Sequence, residues 1–182
     1  KTIITIQNKE NLASIDKAKD YMKANKINDN YLKEGKNLTY FTGMKGYASE
    51  SLVGAILPDV GTVQYIAPYF EIGTLNGFKV IDGPIHGWQE HQSPFTLFVE
   101  ILKQLDISDI AIIGIDESAQ FFIFDGINKA QTGLNLINAQ PVTAHCRMHK
   151  SNNEIALMQS AMNMTLAVHQ ATASMLYAGI ST

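Results

Sequence analysis

The sequence is poor in charge and almost lacks arginine. Charged residues make up 17% of its 182 residues, against about 25% in an average soluble protein, and the formal net charge is −3. Arg147 is the only arginine. Because nucleic acids and anionic membranes are recognised largely through basic surfaces and bidentate arginine contacts, we expect neither as a partner.

The sequence also has a single cysteine and no long apolar run. With Cys146 alone, no internal disulfide can form and no zinc site can be built from several cysteines. No hydrophobic run approaches the roughly 18 residues that a membrane span requires. The chain begins at Lys1, without Met and without a signal-type apolar segment, so we expect a processed or engineered boundary there. These features predict a cytoplasmic protein without a membrane span.

Alternating helix and strand patterns predict an α/β fold. Apolar residues at three- and four-residue steps predict a helix over Lys9–Asn25, and a broad apolar face predicts another over Pro94–Leu105. The runs Ser51–Leu57 and Thr62–Ile66 are joined by a Pro-Asp-Val-Gly turn and predict a hairpin. The aliphatic run Ile110–Ile115 is typical of a central strand covered on both faces. The fold expected is a mixed β-sheet flanked by helices.

Weaker patterns predict the remaining elements of the first 150 residues. These elements are a polar connector at Lys26–Lys36, a short helix from Pro68 to Leu75, a strand at Phe78–Ile81, a loop at Gly83–Ser93, a helix capped by Asp116 or Ser118 and running to Phe124, a short helix near Ile127–Thr132, and a strand or extended segment at Val142–Met148. Gly43 is expected at a backbone position that a side chain would strain.

A long uninterrupted helix is predicted near the carboxyl end. Ser151 and Glu154 have the spacing of a capping box, and helix-compatible residues then run to about Ala178. A helix of roughly 27 residues is about 40 Å long, which exceeds the diameter expected for the domain before it. Its apolar residues form two stripes, so a second surface is expected to cover one of them. The chain therefore divides into a domain at residues 1–150 and a helix at residues 151–182.

Four segments of the sequence resemble those of one enzyme family. Arg147–Ile155 is similar to an Arg-x-x-Lys-Ser-x-x-Glu-Ile junction, and Asn37–Gly43 is similar to an Asn-x-x-Tyr-Leu-Thr-Gly segment. Trp88–Glu90 and Ile113–Glu117 add support. In order and spacing they resemble the N-terminal domain of the creatinase, prolidase and Xaa-Pro aminopeptidase metallopeptidases, although the polar stretch Lys26–Lys36 departs from that family's apolar first strand. The resemblance implies a creatinase N-terminal domain-like fold with a ribonuclease H-like motif, followed by a long linker helix.

The resemblance implies a non-catalytic role for this chain. In the family, two Asp, one His and two Glu hold two divalent metal ions (Mn, Co or Zn) in a C-terminal pita-bread domain that opens with the long helix. The chain ends at Thr182, shortly after that helix, so by resemblance it holds no catalytic residue, metal ligand or cofactor. It would restrict substrate access to the metal site and supply oligomer contacts in a Xaa-Pro aminopeptidase or dipeptidase. The implied partners are its own catalytic domain and a second copy of the chain in a homodimer.

Two groups of candidate residues follow from the resemblance and the residue types. Arg147, Lys150, Ser151 and Glu154 are expected to form the interdomain junction. Trp88, an aromatic residue in a polar loop, is expected either to pack over the sheet or to lie at a pocket edge or interface, where Trp is enriched. The choice among creatinase, prolidase and aminopeptidase P stays open.

Two polar clusters support a different hypothesis. Asp116 follows the central strand, where open α/β sheets bind ligands, and His86 and His91 share a loop with Glu90. A self-sufficient small α/β hydrolase or a ligand-binding domain would use these residues. Helix capping by Asp116 and an ordinary solvated loop explain the same pattern without a site.

A third cluster and the long helix leave further alternatives. His145 and His149 would share a face of an extended segment beside Cys146, but a structural zinc site needs four ligands and no fourth is evident. A packed cysteine flanked by partly exposed histidines is the competing interpretation. Asn37 begins a glycosylation pattern, which matters only in a secreted eukaryotic protein. Finally, the long helix would also suit an interaction module that dimerises through it.

Overall fold

The computed structural model describes residues 5–45, 51–108 and 110–181. These residues fall into two compact units, one spanning Gln7–Met148 and one containing the segment from His149 onward. The first unit holds a six-stranded sheet and the helices that pack on it. The second unit, as far as the structure describes it, contains a single helix of 24 residues, Asn152–Met175.

A mixed sheet forms the centre of the first unit. Its strands are β1 (Asp29–Lys33), β2 (Gly54–Pro58), β3 (Gln64–Pro68), β4 (Ile85–Trp88), β5 (Ile112–Ile115) and β6 (Asn135–Asn138). They lie in the order β4-β3-β2-β1-β5-β6. The β1–β2 and β2–β3 pairs are antiparallel and the other neighbouring pairs are parallel. The predicted mixed sheet is therefore confirmed.

Seven α-helices occur in the described part of the chain. They are α1 (Asn8–Ala24), α2 (Lys36–Thr42), α3 (Ile72–Phe78), α4 (Pro94–Gln104), α5 (Phe121–Ala130), α6 (Gln140–Arg147) and α7 (Asn152–Met175). A 3-10 turn, Tyr69–Glu71, leads from β3 into α3. No helix that the structure describes has the length and hydropathy to cross a membrane.

Two apolar cores lie on opposite faces of the sheet, and β1 contributes to both. The α1/α2/α6 core contains Ile15, Leu38 and Val142, and the α4/α5 core contains Phe98 and Ile123. Since side chains alternate along a strand, successive residues of β1 reach different cores. Leu32 is buried in the first core and Tyr31 in the second, where its ring meets Phe98 edge to face at 5.6 Å.

Elements with a clear periodicity lie where the sequence predicts them. The helices α1 and α4, the β2–β3 hairpin and the interior strand β5 are confirmed within a few residues. Gly43 ends α2 with φ of 70°, in the left-handed region, as expected. Ser151 and Glu154 form both bonds of the predicted capping box at the start of α7. α7 ends at Met175, slightly before the predicted end.

The polar connector predicted at Lys26–Lys36 is wrong, because this stretch contains an interior strand. β1 pairs with β2 on one side and β5 on the other, and all five of its residues are buried. The sequence pattern did not indicate this strand, because Asp29, Asn30 and Lys33 occur where alternating apolar residues would be expected. The strand forms because both of its edges are hydrogen-bonded and because its two apolar side chains enter different cores.

The strand predicted at Phe78–Ile81 is also wrong, and the loop predicted at Gly83–Ser93 is wrong over Ile85–Trp88. Phe78 ends α3, and the strand is β4, inside the predicted loop. A Cβ atom on Gly87 would lie 2.4 Å from Cδ1 of Ile72, so this glycine permits close packing of β4 against α3. Glycine and proline in this stretch indicated a loop, whereas here a glycine serves the packing of a strand.

The carboxyl-terminal third of the first unit differs from the prediction in three respects. The extended segment predicted at Val142–Met148 is helix α6, which has a proline in its first turn, and the strand β6 precedes it. The two short helices predicted on either side of Phe124 form the single helix α5. Gln120 occupies the cap position of α5, so the capping predicted for Asp116 or Ser118 is wrong.

Gly54 offers a direct test of the β1–β2 packing. A Cβ atom at this position would lie 2.3 Å from the carbonyl oxygen of Leu32, so Gly54→Ala should lower the free energy of unfolding by about 3 kcal/mol. Gly73→Ala in α3 is the matched control, because its Cβ meets nothing within 4 Å; it should raise stability by about 0.5–1 kcal/mol. Urea unfolding followed by circular dichroism measures both. Equal stabilities for the two variants would contradict this packing.

Candidate functional site

The connections after β1 and β5 leave the sheet in opposite directions. α2 follows β1 and buries Leu38 in the α1/α2/α6 core, whereas α5 follows β5 and buries Ile123 in the α4/α5 core. The two strands are parallel neighbours. Where neighbouring connections diverge in this way, the carboxyl ends of the strands form a crevice, and open α/β sheets commonly bind ligands there. This edge of the sheet is therefore the first place to look for a site.

Asp116 lies at this edge, but both oxygens of its carboxylate accept hydrogen bonds from other groups of the first unit. The residue is 2% exposed. Its Oδ1 accepts hydrogen bonds from the backbone and the hydroxyl of Ser118, at 2.8 and 2.7 Å, and from Nδ2 of Asn37 at 3.1 Å. Its Oδ2 accepts from the backbone N–H of Lys33 at 3.2 Å. A carboxylate held by four internal donors stabilises a turn and a strand end rather than offering itself to a ligand.

Asn37 connects Asp116 to a wider polar network. Its Nδ2 also donates to Oε1 of Glu117 at 3.0 Å, and its Oδ1 accepts from Nη1 of Arg147. Glu117 in turn accepts from the hydroxyl of Thr143 at 3.1 Å. We call Asn37, Asp116, Glu117, Thr143 and Arg147 the Asn37 network. It links the start of α2, the end of β5 and helix α6.

The Asn37 network contains residues from three of the four family-like segments. The guanidinium of Arg147 lies 5.6 Å from the ring centroid of Tyr40, within the range of a cation–π contact. The hydroxyl of Tyr40 donates to the backbone carbonyl of Cys146 at 3.0 Å, which holds the last turn of α6 against α2. The only arginine of the chain thus fixes the end of α6, immediately before the segment that leads to α7.

The start of α7 is built locally. The hydroxyl of Ser151 accepts from the backbone N–H of Glu154 at 3.1 Å, and Oε2 of Glu154 accepts from the backbone N–H of Ser151 at 2.7 Å. Lys150 is exposed and precedes the cap. After Glu154 the helix contains no Asp, Glu, Lys or Arg. Most of its large apolar side chains are exposed, namely Ile155, Met158, Met162, Met164, Leu166, Val168 and Met175, at 53–68%.

Trp88 lies on β4 and borders an open depression of about 410 Å³. The ring is half-buried against the α4/α5 core, and its Nε1 donates to the carbonyl of Leu52 at 3.3 Å. Tyr69 and Phe70, which are 60% and 68% exposed, line the same depression. The remaining lining residues are Gln89, Glu90 and His91. Exposed aromatic groups around a half-buried Trp are typical of recognition surfaces.

The histidine clusters do not assemble into a metal site in the described part of the chain, where no group of three His, Cys, Asp or Glu side chains is suitably placed. His86 is on β4, and its Nε2 lies 2.9 Å from Oε1 of Gln64. Burial lowers the pKa of His86 and so favours the neutral ring. His91 is exposed in the loop that follows.

The cluster predicted around Cys146 has a different geometry from the expected one, because α6 is a helix. Cys146 is buried, and burial raises the pKa of its thiol to about 11, so it remains a protonated packing residue. The ring of His145 lies 4.7 Å from that of Tyr21. Asn37 is 4% exposed and hydrogen-bonded, so its glycosylation pattern cannot be used in the folded chain.

Sequence reasoning identified part of the Asn37 network and missed the rest. Asn37 and Arg147 occur in the family-like segments, and Asp116 was a candidate by its position after a strand. Thr143 gave no signal, because the segment around it was predicted to be extended and its hydroxyl contacts Glu117 only when α6 is helical. The distance of 110 residues between Asn37 and Arg147 also leaves no local pattern.

Two buried asparagines should respond in opposite ways to the same substitution. Asn37→Leu removes three hydrogen bonds and leaves Arg147 without this partner, so it should lower stability by about 3 kcal/mol. Asn30 is also buried, but neither atom of its amide has a partner among the described residues. Asn30→Leu should therefore raise stability by about 1–3 kcal/mol. Urea unfolding of both variants measures the difference, and a destabilised Asn30→Leu would contradict this reading of β1.

The first unit matches a known domain family. The Creatinase/Prolidase N-terminal domain family matches residues 15–149. This range covers more than half of the chain. No curated protein sequence matches the chain significantly.

Solved structures share the fold at low sequence identity. A recombinant prolidase from Thermococcus sibiricus is similar with a TM-score of 0.82 and 21% identity, covering 93% of this chain and 45% of that one. A dipeptidase from Pyrococcus horikoshii has a TM-score of 0.76 and 21% identity, with coverages of 88% and 44%. The Creatinase/Prolidase N-terminal domain of an Xaa-Pro dipeptidase from Streptococcus pyogenes has a TM-score of 0.58 and 17% identity, with coverages of 71% and 95%.

This chain thus spans less than half the length of the two longer proteins and resembles a separately solved N-terminal domain over most of that domain's length. Its mixed sheet agrees with theirs in fold. Because the family match extends over residues 15–149, the chain belongs to the Creatinase/Prolidase N-terminal domain family.

Proposed function

We propose that this chain is the non-catalytic N-terminal part of a Xaa-Pro aminopeptidase or dipeptidase. In this proposal residues 1–150 form the N-terminal domain, and residues 151–182 form a linker helix that opens a catalytic domain. The lone cysteine suits a cytoplasmic location. Support comes from the prolidase and dipeptidase structures, of which a chain of this length covers 44–45%.

The Asn37 network is the observation that carries this proposal. Its groups are bonded to one another, and it provides neither an activated nucleophile nor a free general base. It fixes Arg147 at the end of α6, and the capping box of Ser151 and Glu154 follows within a few residues. The Asn37 network holds the end of α6, and a long helix with its own cap begins a few residues later in the sequence. Such an arrangement is expected at a junction between two domains. Arg147, Lys150, Ser151 and Glu154 are therefore the proposed junction residues.

The proposed metal site belongs to the catalytic domain. A Xaa-Pro peptidase of this family would hold two divalent ions, Mn, Co or Zn, whose role is to activate water and polarise the peptide carbonyl. The described residues of this chain do not fit such a centre, because they bring no three suitable ligands together. This chain is expected to act on the reaction only through access to that domain.

Trp88 and α7 are the proposed contact surfaces. The depression beside Trp88 would border the route of peptides to the catalytic domain or contact a second subunit. The exposed apolar side chains of α7 would be covered by the catalytic domain, and a second copy of the chain is the other partner proposed, in a homodimer. The self-sufficient hydrolase is less well supported, because Asp116 is held by four internal donors.

The first test is a direct assay of the 182-residue chain. Incubated with Xaa-Pro dipeptides and Mn²⁺ or Co²⁺, it should show no turnover above the metal-only background, because its described residues bring no ligand set for the ions together. The full-length parent under the same conditions is the positive control. Robust hydrolysis by the short chain would overturn the proposal.

The second test concerns the depression at Trp88. In the full-length parent, Trp88→Ala should change kcat/KM several-fold, with an effect that depends on peptide length, because the substitution enlarges an aromatic-lined route. Phe78→Ala is the matched control, since Phe78 is also an exposed aromatic residue, at 58%, but does not line the depression. The same kcat/KM for both variants at every peptide length would exclude a role for Trp88 in access.

A further inference from the structure

Asp29 is a buried carboxyl group with no hydrogen-bond partner in the part of the chain that the structure describes. The residue is fully buried at the start of β1, and neither of its carboxyl oxygens has a partner among the described residues. Asp116, at the other end of the same strand pair, is also buried but accepts four hydrogen bonds. An ionised carboxylate that loses its hydration without such compensation is strongly disfavoured. The fold around Asp29 therefore favours the neutral acid.

The surroundings of Asp29 within the sheet are apolar. Its partners in the strand register are Pro58 on β2 and Ile113 on β5. By the alternation of side chains, Asp29 lies on the same face of β1 as Tyr31, the face of the α4/α5 core. The residues that α4 and α5 bury in that core are all apolar, namely Phe98, Ile101, Leu102, Ile123 and Ile127.

Charged groups near this face do not compensate Asp29. Glu100 and Lys103 of α4 are exposed, and Lys129 of α5 is paired with Asp125 at 2.7 Å. Asp59, which follows β2, is a like charge that further disfavours ionisation of Asp29.

The ammonium group of Lys19 lies near this end of the sheet, but it binds the turn after β2. Nζ of Lys19 on α1 donates to the carbonyl oxygen of Gly61, in the turn after β2, and Asp59 attracts the same ammonium group. Burial first, and the Asp59 charge second, raise the pKa of Asp29 from 3.8 to about 7. The carboxyl would thus change its charge near neutral pH.

We propose that Asp29 makes the sheet sensitive to pH, because its neutral carboxyl fits the start of β1 whereas its ionised form loosens this end of the strand and the adjacent turn at residues 58–61. In the unfolded chain the group ionises near its ordinary value, 3.8, and in the folded chain only near 7. Between these values the folded chain binds more protons. The stabilisation that the neutral Asp29 carboxyl gives the folded chain is therefore complete below about pH 4. This stabilisation falls as the pH rises to 7, and it does not change further at higher pH.

Urea unfolding of the 182-residue chain between pH 4 and pH 8 tests whether Asp29 makes the stability depend on pH. The unfolding constant attributable to Asp29 should rise about tenfold per pH unit across the window. Asp29→Asn replaces the acid by a neutral group of the same shape and should remove this rise. Asp20→Asn, which alters an exposed carboxyl on α1, is the matched control and should retain it. Identical pH profiles for wild type and Asp29→Asn would overturn the proposal.

Two measurements on the unmodified chain keep the proposal testable if Asp29→Asn fails to fold. The ¹³C shift of the Asp29 carboxyl should titrate with a midpoint near 7, and a midpoint below about 5 would overturn the proposal. Amide hydrogen exchange should localise the opening to the N–H groups of Asn28 and Asp59, which donate to Ile112 and Asn28. Their protection factors should fall between pH 5 and pH 8 relative to those of α1, after correction for intrinsic exchange. An equal fall of the protection factors along the whole chain would contradict a local opening at this end of β1.

Discussion

The side-chain amide of Asn37 is the contact on which the carboxyl edge of the sheet depends. It donates to Asp116 and Glu117 and accepts from Arg147, so one residue joins parts of the chain 79 to 110 residues apart. The side chains of Asn37 and Asp116 are buried and would be costly to bury alone, and their hydrogen bonds within the network compensate that cost. Three members of the network, Asn37, Asp116 and Thr143, are buried at the sheet edge where an open α/β sheet would bind a ligand. The hydrogen bond between Asn37 and Arg147 positions the last turn of α6.

The central strand β1 shows how unevenly polar groups are accommodated in this fold. At its carboxyl end the backbone of Lys33 bonds to the buried carboxylate of Asp116. At its amino end Asp29 and Asn30 are fully buried, and their side chains have no hydrogen-bond partner among the residues described. The strand is held by its hydrogen bonds to β2 and β5 and by Tyr31 and Leu32, which enter opposite cores. Packing on both faces therefore outweighs the desolvation of two polar side chains within a few residues of each other.

Periodicity predicted the elements whose environment is uniform along their length. α1 and α4 each have one apolar face, and β5 is apolar throughout because both of its faces are covered. β1, β4 and α6 were missed for separate reasons: polar residues within an interior strand, a glycine that serves packing, and a short helix with one buried face. In the candidate site, Asn37, Arg147 and the capping box could be identified from the sequence. Thr143 could not, because its hydroxyl contacts Glu117 only through the helical geometry of α6.

By itself the sequence determined the α/β class, the long capped helix and the family, because these depend on local spacing and on short segments that can be compared directly. The tertiary structure decided which polar residues are compensated. Asp29 and Asp116 are both buried aspartates associated with neighbouring strands, and nothing in their local sequences distinguishes their hydrogen bonding. Asp116 meets donors from Lys33, Asn37 and Ser118, whereas Asp29 meets apolar groups and a like charge. That difference arises only when distant segments are brought together by the sheet.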